Sequence, residues 1–207
     1  MHVIFNAVTS LDGKTAPGGI DFDLMNRADK YRMDELRGTV DALLTDVKTI
    51  KLKNPTLGVR SAGDDPLKVV IDDKGEISEN ARVFEGGSDV LVFFSKSASR
   101  KKIKQRLEEK PNVEVIICGD YAVNLSSVLT ALHNRDVGSL LVESHNSLGR
   151  RMLEEGFIDE IYVSVVPVLL GEGESLFNRK IERGVDLSLE GILQYGDQVI
   201  LHYLVKK

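Results

Sequence analysis

Apolar residues gather along this chain in short runs whose period keeps changing. Runs at 2–8, 40–45, 68–72, 90–94, 113–118 and 139–143 are rich in Val, Ile, Leu and Phe and short, which predicts strands. Near-continuous apolar runs of this kind suit strands covered on both faces, as in a mostly parallel sheet. Helical patterns fall between them. One covers 27–38 after a possible Asn26 cap and ends on a glycine, and one covers 100–110 and stops before Pro111. Two more cover 125–134 after Asn124 and 147–155 before Gly156. Strands alternating with helices predict right-handed βαβ crossovers and a three-layer α/β fold, a mostly parallel central sheet with helices on both faces. The C-terminal part changes character: a long strand over 159–170, a turn at Gly171-Glu172-Gly173-Glu174, then strands 186–194 and 198–206 in an antiparallel hairpin around Gly196-Asp197. Residues 61–66 read as a loop, so 1–207 is expected to form a single domain.

Composition narrows the function classes. A hydrophobic share of 42%, a charged share of 29% and a net charge of −5 are those of an ordinary soluble domain, with no concentrated basic face for nucleic acid. The basic run at 100–106 is followed by Glu108 and Glu109 and reads as a solvated helix face, a polyanion patch being the minority reading. Cys118 is the single cysteine, inside an apolar run, which suggests a buried hydrophobe and a reducing, cytoplasmic setting. No apolar run reaches the roughly 20 residues of a membrane span, and the N-terminus lacks a signal-peptide pattern. His2, His133, His145 and His202 have no metal-ligand spacing, so no metal site is expected.

Three segments carry candidate chemistry. Asn6-Ala7-Val8-Thr9-Ser10-Leu11-Asp12-Gly13-Lys14 leaves the first strand at its carboxyl end, where ligands sit in open α/β sheets. Asn6, Ser10, Asp12 and Lys14 supply donors and acceptors there, and a polar turn capped by Asp12 is the alternative. The second segment joins Arg37, a polar loop carrying Thr49 after the 40–45 strand, and Asn54-Pro55-Thr56-Leu57-Gly58-Val59-Arg60; the two arginines suit a phosphate. In the third, a strand ending at Glu143 enters Ser144-His145-Asn146-Ser147 and then a helix, whose free N–H groups attract phosphate. Capping of that helix by Ser147 is the plainer reading of the loop alone.

In this order, these segments resemble the riboflavin-biosynthesis reductase family, comprising the reductase half of the bifunctional deaminase–reductase and the stand-alone archaeal and fungal reductases. The resemblance runs over essentially the whole chain. It rests on Ser10-Leu11-Asp12-Gly13-Lys14, Leu36-Arg37 with Val40-Asp41-Ala42, Asn54 to Arg60, Val69-Val70-Ile71-Asp72, Leu141-Val142-Glu143, Leu153 to Ile161, and Pro167-Val168-Leu169-Leu170-Gly171. It implies a dihydrofolate-reductase-like fold and NADPH-dependent reduction of the ribosylamino group of a pyrimidine 5′-phosphate to ribitylamino, NADH being the alternative donor. It implies catalytic roles for Lys14, Asp12 and Glu143, and substrate binding by Asn6, Ser10, Arg37, Leu57 and Arg60. Cofactor contacts are implied for Thr49, Lys53, Asp73, Ser144, His145, Asn146 and Ser147.

The chain departs from the family pattern on the cofactor side. Asp46-Val47-Lys48-Thr49 replaces a Gly-x-Gly-Thr pattern, Lys53-Asn54 an acidic pair, and Ser144-His145-Asn146-Ser147 a glycine-rich loop. Side chains at such positions obstruct close approach of a pyrophosphate, while Lys48, Lys53, His145 and Arg150 offer donors instead. A family member that has lost catalysis and serves as a ligand-binding or assembly protein is therefore the alternative, along with a reductase of another heterocycle such as a pterin. No tryptophan is present, which argues against a true dihydrofolate reductase. The 159–170 strand is expected to pair or pack across a two-fold axis in a homodimer.

Overall fold

The computed structural model describes residues 1–16, 26–60, 65–98, 102–144, 146–177 and 184–207, and for Asn146 the backbone only. In chain order come β1 (His2–Ser10), β2 (Lys14–Ala16), α1 (Arg27–Arg37), β3 (Ala42–Asp46), α2 (Val47–Lys53), β4 (Leu67–Asp72) and β5 (Val90–Phe94). Then follow α3 (Lys102–Glu108), β6 (Val113–Ile117), α4 (Leu125–His133), β7 (Ser139–Val142) and α5 (Asn146–Glu154). The chain finishes with β8 (Glu160–Val166), β9 (Glu174–Ser175), β10 (Leu187–Tyr195) and β11 (Gln198–Val205). The mixed α/β order, the mostly parallel strand pairing and the antiparallel terminal hairpin follow the apolar pattern. The described residues divide into two compact bodies, one of residues 37–140 with Met1 and one of 2–36 and 141–207.

In the first body β3, β4, β5 and β6 lie side by side in that order, all parallel, with Ala42 opposite Leu67, Lys68 opposite Val90, and Val90 opposite Val113. Every residue of β3 and β5 is buried, which accounts for their unbroken apolar runs. The outermost strand, β6, is partly exposed, Glu114 included, because only β5 pairs with it. Cys118, just beyond it, is accordingly half-buried rather than fully enclosed, and burial pushes its thiol up. α4 starts where the Asn124 side chain accepts from Ser127 N–H at 2.8 Å and buries Leu125, Val128 and Leu132, one stripe of a 3.6-residue period. The basic run is surface, as expected: Lys104 pairs with Glu108 and Arg106 with Glu79. Arg100 and Lys101 of that run lie outside the described residues.

One expectation is corrected here. Residues after β3 form α2 rather than a polar loop. Asp46 caps it by accepting from Thr49 N–H at 2.7 Å, Lys51 and Lys53 sit in its last turn, and Asn54 closes it in the left-handed region at φ 41°. The signal was present in Asp46-x-x-Thr49 and was read only as a departure from a glycine pattern.

In the second body β1 and β8 run parallel, from Ile4 opposite Glu160 to Ser10 opposite Val166. β11 lies antiparallel on the other side of β8, and β10 is antiparallel to β11. β8 ends at Val166 rather than at residue 170, because Pro167 cannot donate to a ladder and Val168 N–H turns back to Val166 O at 2.8 Å. Flanked by β1 and β11, β8 has no free edge with which to pair across a two-fold axis; the outer strand is β10, with Leu189, Ile192 and Leu193 exposed.

α5 lies against β1 through a glycine. A Cβ on Gly149 would fall 2.5 Å from Cε2 and 2.7 Å from Cζ of Phe5, which is fully buried with the Phe177 ring centroid 5.9 Å away, tilted by 32°. That ring has nowhere to go. Gly149→Ala is expected to destabilise the protein by about 1–3 kcal/mol, the range for an overpacked core, read as a lowered urea midpoint with an unchanged m value.

Candidate active site

The turn after β1 is built by its own polar side chains. Ser10 Oγ accepts from Lys14 N–H at 2.9 Å and donates to Asp12 Oδ1 at 2.6 Å, while Gly13 N–H bonds Ser10 O with φ at +74°. Only glycine holds that backbone without strain. Asp12 also reaches across to the segment after β8, accepting from Leu170 N–H at 3.1 Å and Gly171 N–H at 2.8 Å. Leu11 N–H to Val168 O and Leu176 N–H to Gly13 O continue the join, and β2 pairs with β9 beyond it. The Ser10 hydroxyl, then the Leu170 and Gly171 amides, hold the Asp12 carboxyl down at about 2. Asp12 is an anion at neutral pH, and its carboxylate straps the turn to the segment after β8. Lys14 is carried on the strand that this strap fixes.

Asn6, behind the turn, is buried, and its Oδ1 accepts from Arg32 Nη2 at 2.8 Å. Arg32 also bonds Asp29 Oδ1 at 3.0 Å through Nε and Ser164 Oγ at 3.2 Å; Ser164 Oγ in turn donates to Asp29 at 2.9 Å. Sequence reasoning missed Asp29, Arg32 and Ser164. The Asp-x-x-Arg spacing in a helix and a serine inside an apolar strand were the available signals. Breaking such a buried pair leaves an uncompensated charge in the core. The Tyr162 ring lies 5.8 Å from the Arg32 guanidinium, and burial with the neighbouring Glu160 pushes its hydroxyl up to about 12.

At the β7–α5 junction, Glu143 and Ser144 are half-buried, and Ser144 Oγ is enclosed with no partner among the described residues. Ser147 lies in the first turn of the nine-residue α5, whose leading N–H groups lack intrahelical acceptors. His145 lies outside the described residues, as does the Asn146 side chain.

The first body holds the remaining expected residues in two groups. Arg37, the last residue of α1, donates from Nη1 to Gly58 O at 3.3 Å. Leu57 is buried with φ at +59°, a conformation that costs a leucine roughly 1–3 kcal/mol and persists only where its surroundings impose it. Arg60 is exposed and lines a cleft of about 260 Å³ with Thr56, Gly58, Asp65, Lys68 and Glu85. The structure thus brings Arg37, Leu57 and Arg60 to one short segment. Thr49 and Lys53 sit at opposite ends of α2, and Asp73 fastens the end of β4, accepting from Val123 N–H at 2.6 Å through Oδ1 and from Ser95 Oγ at 2.6 Å through its carbonyl. Asp46 turns inward to its cap, and burial pushes its carboxyl up.

The mixed α/β order, the mostly parallel strand pairing and the antiparallel terminal hairpin are those of the dihydrofolate-reductase-like class, to which its structural neighbours belong. Over residues 1–201 the chain matches the family model described as the RibD C-terminal domain, and it belongs to that family. It is 28% identical over 217 residues to the 2,5-diamino-6-ribosylamino-4(3H)-pyrimidinone 5′-phosphate reductase of Methanothermobacter thermautotrophicus, covering 99% of this chain and 98% of that one. The protein of that name from Archaeoglobus fulgidus is 29% identical over 206 residues, covering 88% and 93%. Among solved structures, a Thermotoga maritima deaminase/5-amino-6-(5-phosphoribosylamino)uracil reductase superposes with a TM-score of 0.83 at 22% identity, over 99% of this chain and 56% of that longer one. Dihydrofolate reductase from Enterococcus faecalis has a TM-score of 0.56 at 8% identity, over 100% and 97%, which supports the fold assignment.

The Asp12 strap gives a pH signature. Its folded value lies below the ordinary 3.8, so its stabilisation is complete above that value and is lost as pH falls towards 2. Asp12→Asn is expected to lower Tm at neutral pH and to flatten the dependence of Tm on pH between those limits.

Proposed function

We propose that residues 1–207 act as one reductase domain that converts the ribosylamino group of a pyrimidine 5′-phosphate to ribitylamino in riboflavin biosynthesis, with NADPH as donor. The observation that carries this reading is the Ser10–Asp12–Gly13–Lys14 turn. Its hydroxyl and carboxylate are committed to holding the Lys14 strand, and the lysine is the side chain of this turn to which we assign the chemistry. The names of the whole-length relatives support the substrate.

The cofactor-side residues fit a dinucleotide on two observations. The enclosed Ser144 hydroxyl lacks a partner among the described residues beside the α5 start, and Asp46, the acid of concern, is committed to its own helix cap. Thr49, Lys53, Asp73 and Ser144 to Ser147, with His145 and Asn146, are the residues we assign to NADPH. When bound, it supplies a hydride for C1 of the opened, imine-like ribose. The protein's own share is positioning and charge. Arg37 and Arg60 take the phosphate dianion, which favours guanidinium forks over any neutral group. Leu57 forms an apolar wall held in place by its strained backbone. Asn6 and Ser10 act behind the pocket, Asn6 held by Arg32 and Ser10 by Asp12, so that the floor under the substrate is fixed. Lys14 and Glu143 hold the proton balance at the amine that forms: the C=N bond accepts hydride at carbon and a proton at nitrogen.

Purified protein is expected to oxidise NADPH only when the phosphorylated pyrimidine is present. Arg60→Ala should raise the substrate KM about 10–100-fold, the range for a lost charge-assisted contact, with the NADPH KM within twofold. An equal rise in both constants would reject the phosphate assignment, and absence of NADPH oxidation by the folded wild type would reject the reductase reading. We also assign the chain to the cytoplasm and to a homodimer in which the exposed Leu189, Ile192 and Leu193 of β10 meet a second copy. Light scattering at micromolar concentration should give twice the chain mass of 22.9 kDa, and a monomer mass would refute it.

A further inference from the structure

The second residue of β4 is out of keeping with its neighbours. Lys68 is 1% exposed, its four successors along the apolar strand being buried too. An ammonium taken out of water is costly unless its donors are met. Here Nζ donates to Glu85 O at 3.0 Å and Val83 O at 3.3 Å, and Asp65 Oδ2 stands 4.0 Å away. Burial pushes the lysine down, while Asp65 and Glu85 work against that shift.

The other oxygen of Asp65 shows what the charge is kept for. Oδ1 accepts from Val59 N–H at 2.7 Å. The carbonyl of that same peptide unit, Gly58 O, accepts from Arg37 Nη1 at 3.3 Å. One peptide plane is therefore gripped at both of its polar ends, by a guanidinium and by a carboxylate backed with a buried ammonium. Residue 58 has no side chain, and a Cβ there would lie 3.1 Å from both Asp65 oxygens, so glycine leaves room for the carboxylate to close on the peptide. Arg60 follows directly, and the strained Leu57 precedes.

We propose that Asp65, supported by buried Lys68, is a positioning residue that pins the Gly58–Val59 peptide and thereby aims Arg60 at the substrate phosphate. The inference rests on the phosphate role given to Arg60 and adds two residues that act through it. Asp65 needs no contact with substrate. Its carboxylate restricts the backbone from which the guanidinium springs, so its loss is felt in substrate binding and not in hydride transfer.

Two readouts separate this proposal from the reading beneath it. Hydrogen exchange at the Val59 amide reports the grip without any substrate, and Asp65→Ala should speed it about 100-fold relative to wild type, as expected when a local bond opens. Kinetics report the consequence. Asp65→Ala should raise the substrate KM about 10-fold with kcat and the NADPH KM within twofold, and should add nothing further in an Arg60→Ala background. Asp65→Asn, which keeps an oxygen for Val59, and Lys68→Arg, which keeps the charge, should each stay within about threefold of wild type and guard against simple misfolding. Unchanged Val59 exchange in Asp65→Ala, or a full 10-fold KM effect on top of Arg60→Ala, overturns the proposal. An unchanged substrate KM in Arg60→Ala alone defeats the phosphate reading instead, whatever the Val59 amide shows.

Discussion

A carboxylate that accepts from one hydroxyl and two backbone amides ties together two pieces of chain that lie far apart in sequence. Asp12 does this between the turn after β1 and the segment after β8, where regular ladder bonds have run out. Each backbone amide it binds would otherwise need water or another acceptor. Charge-assisted bonds are stronger than neutral ones, and the lowered pKa of Asp12 expresses the same stabilisation. Lys14 owes its place to this strap, so the chemistry assigned to the lysine depends on the bonds that Asp12 makes.

The same economy recurs elsewhere in the chain. Asp46 is turned to the start of its own helix and Asp72 binds the Glu76 and Ile77 amides, while Asp73 binds Val123 and Asp41 binds the Gly138 and Ser139 amides. Acidic side chains at strand ends serve as acceptors for amides that the sheet leaves unsatisfied. A chain with a net charge of −5 can thus keep carboxylates near residues assigned to phosphates without spending that charge against them. The substituted cofactor-side positions bear this out at Asp46. There the change from the family pattern builds a helix cap and leaves the charge facing inward.

The apolar runs identified the strands of the parallel sheet because β3, β4 and β5 are covered on both faces, and hydrophobic burial then leaves little choice of residue. Helix caps at Asn26, Asn124 and Asp46 are local hydrogen bonds, visible wherever a short polar side chain precedes a helix. α2 follows β3 directly, with Asp46 both ending the strand and capping the helix, so no turn residues separate the two in sequence. The motif around Ser10 to Lys14 and the segment ending at Arg60 were legible because their chemistry is contiguous in the chain.

What sequence could not supply are relations between distant residues. Asp12 with Gly171, Arg32 with Ser164, Arg37 with Gly58, and Gly149 against Phe5 are contacts whose members carry no periodic or compositional mark of one another. They exist because packing brings the elements within hydrogen-bond or van der Waals range, and their strength depends on distances of a few ångströms. Sequence alone determined the alternation of strands and helices and the terminal hairpin, since these follow from local propensity and burial period, and it carried the family's motifs in the order of their residues. Tertiary structure alone decided which carboxylates became straps, which glycines leave room for a neighbour, and why a lysine lies buried in β4, because desolvation and pairing are properties of the folded surroundings.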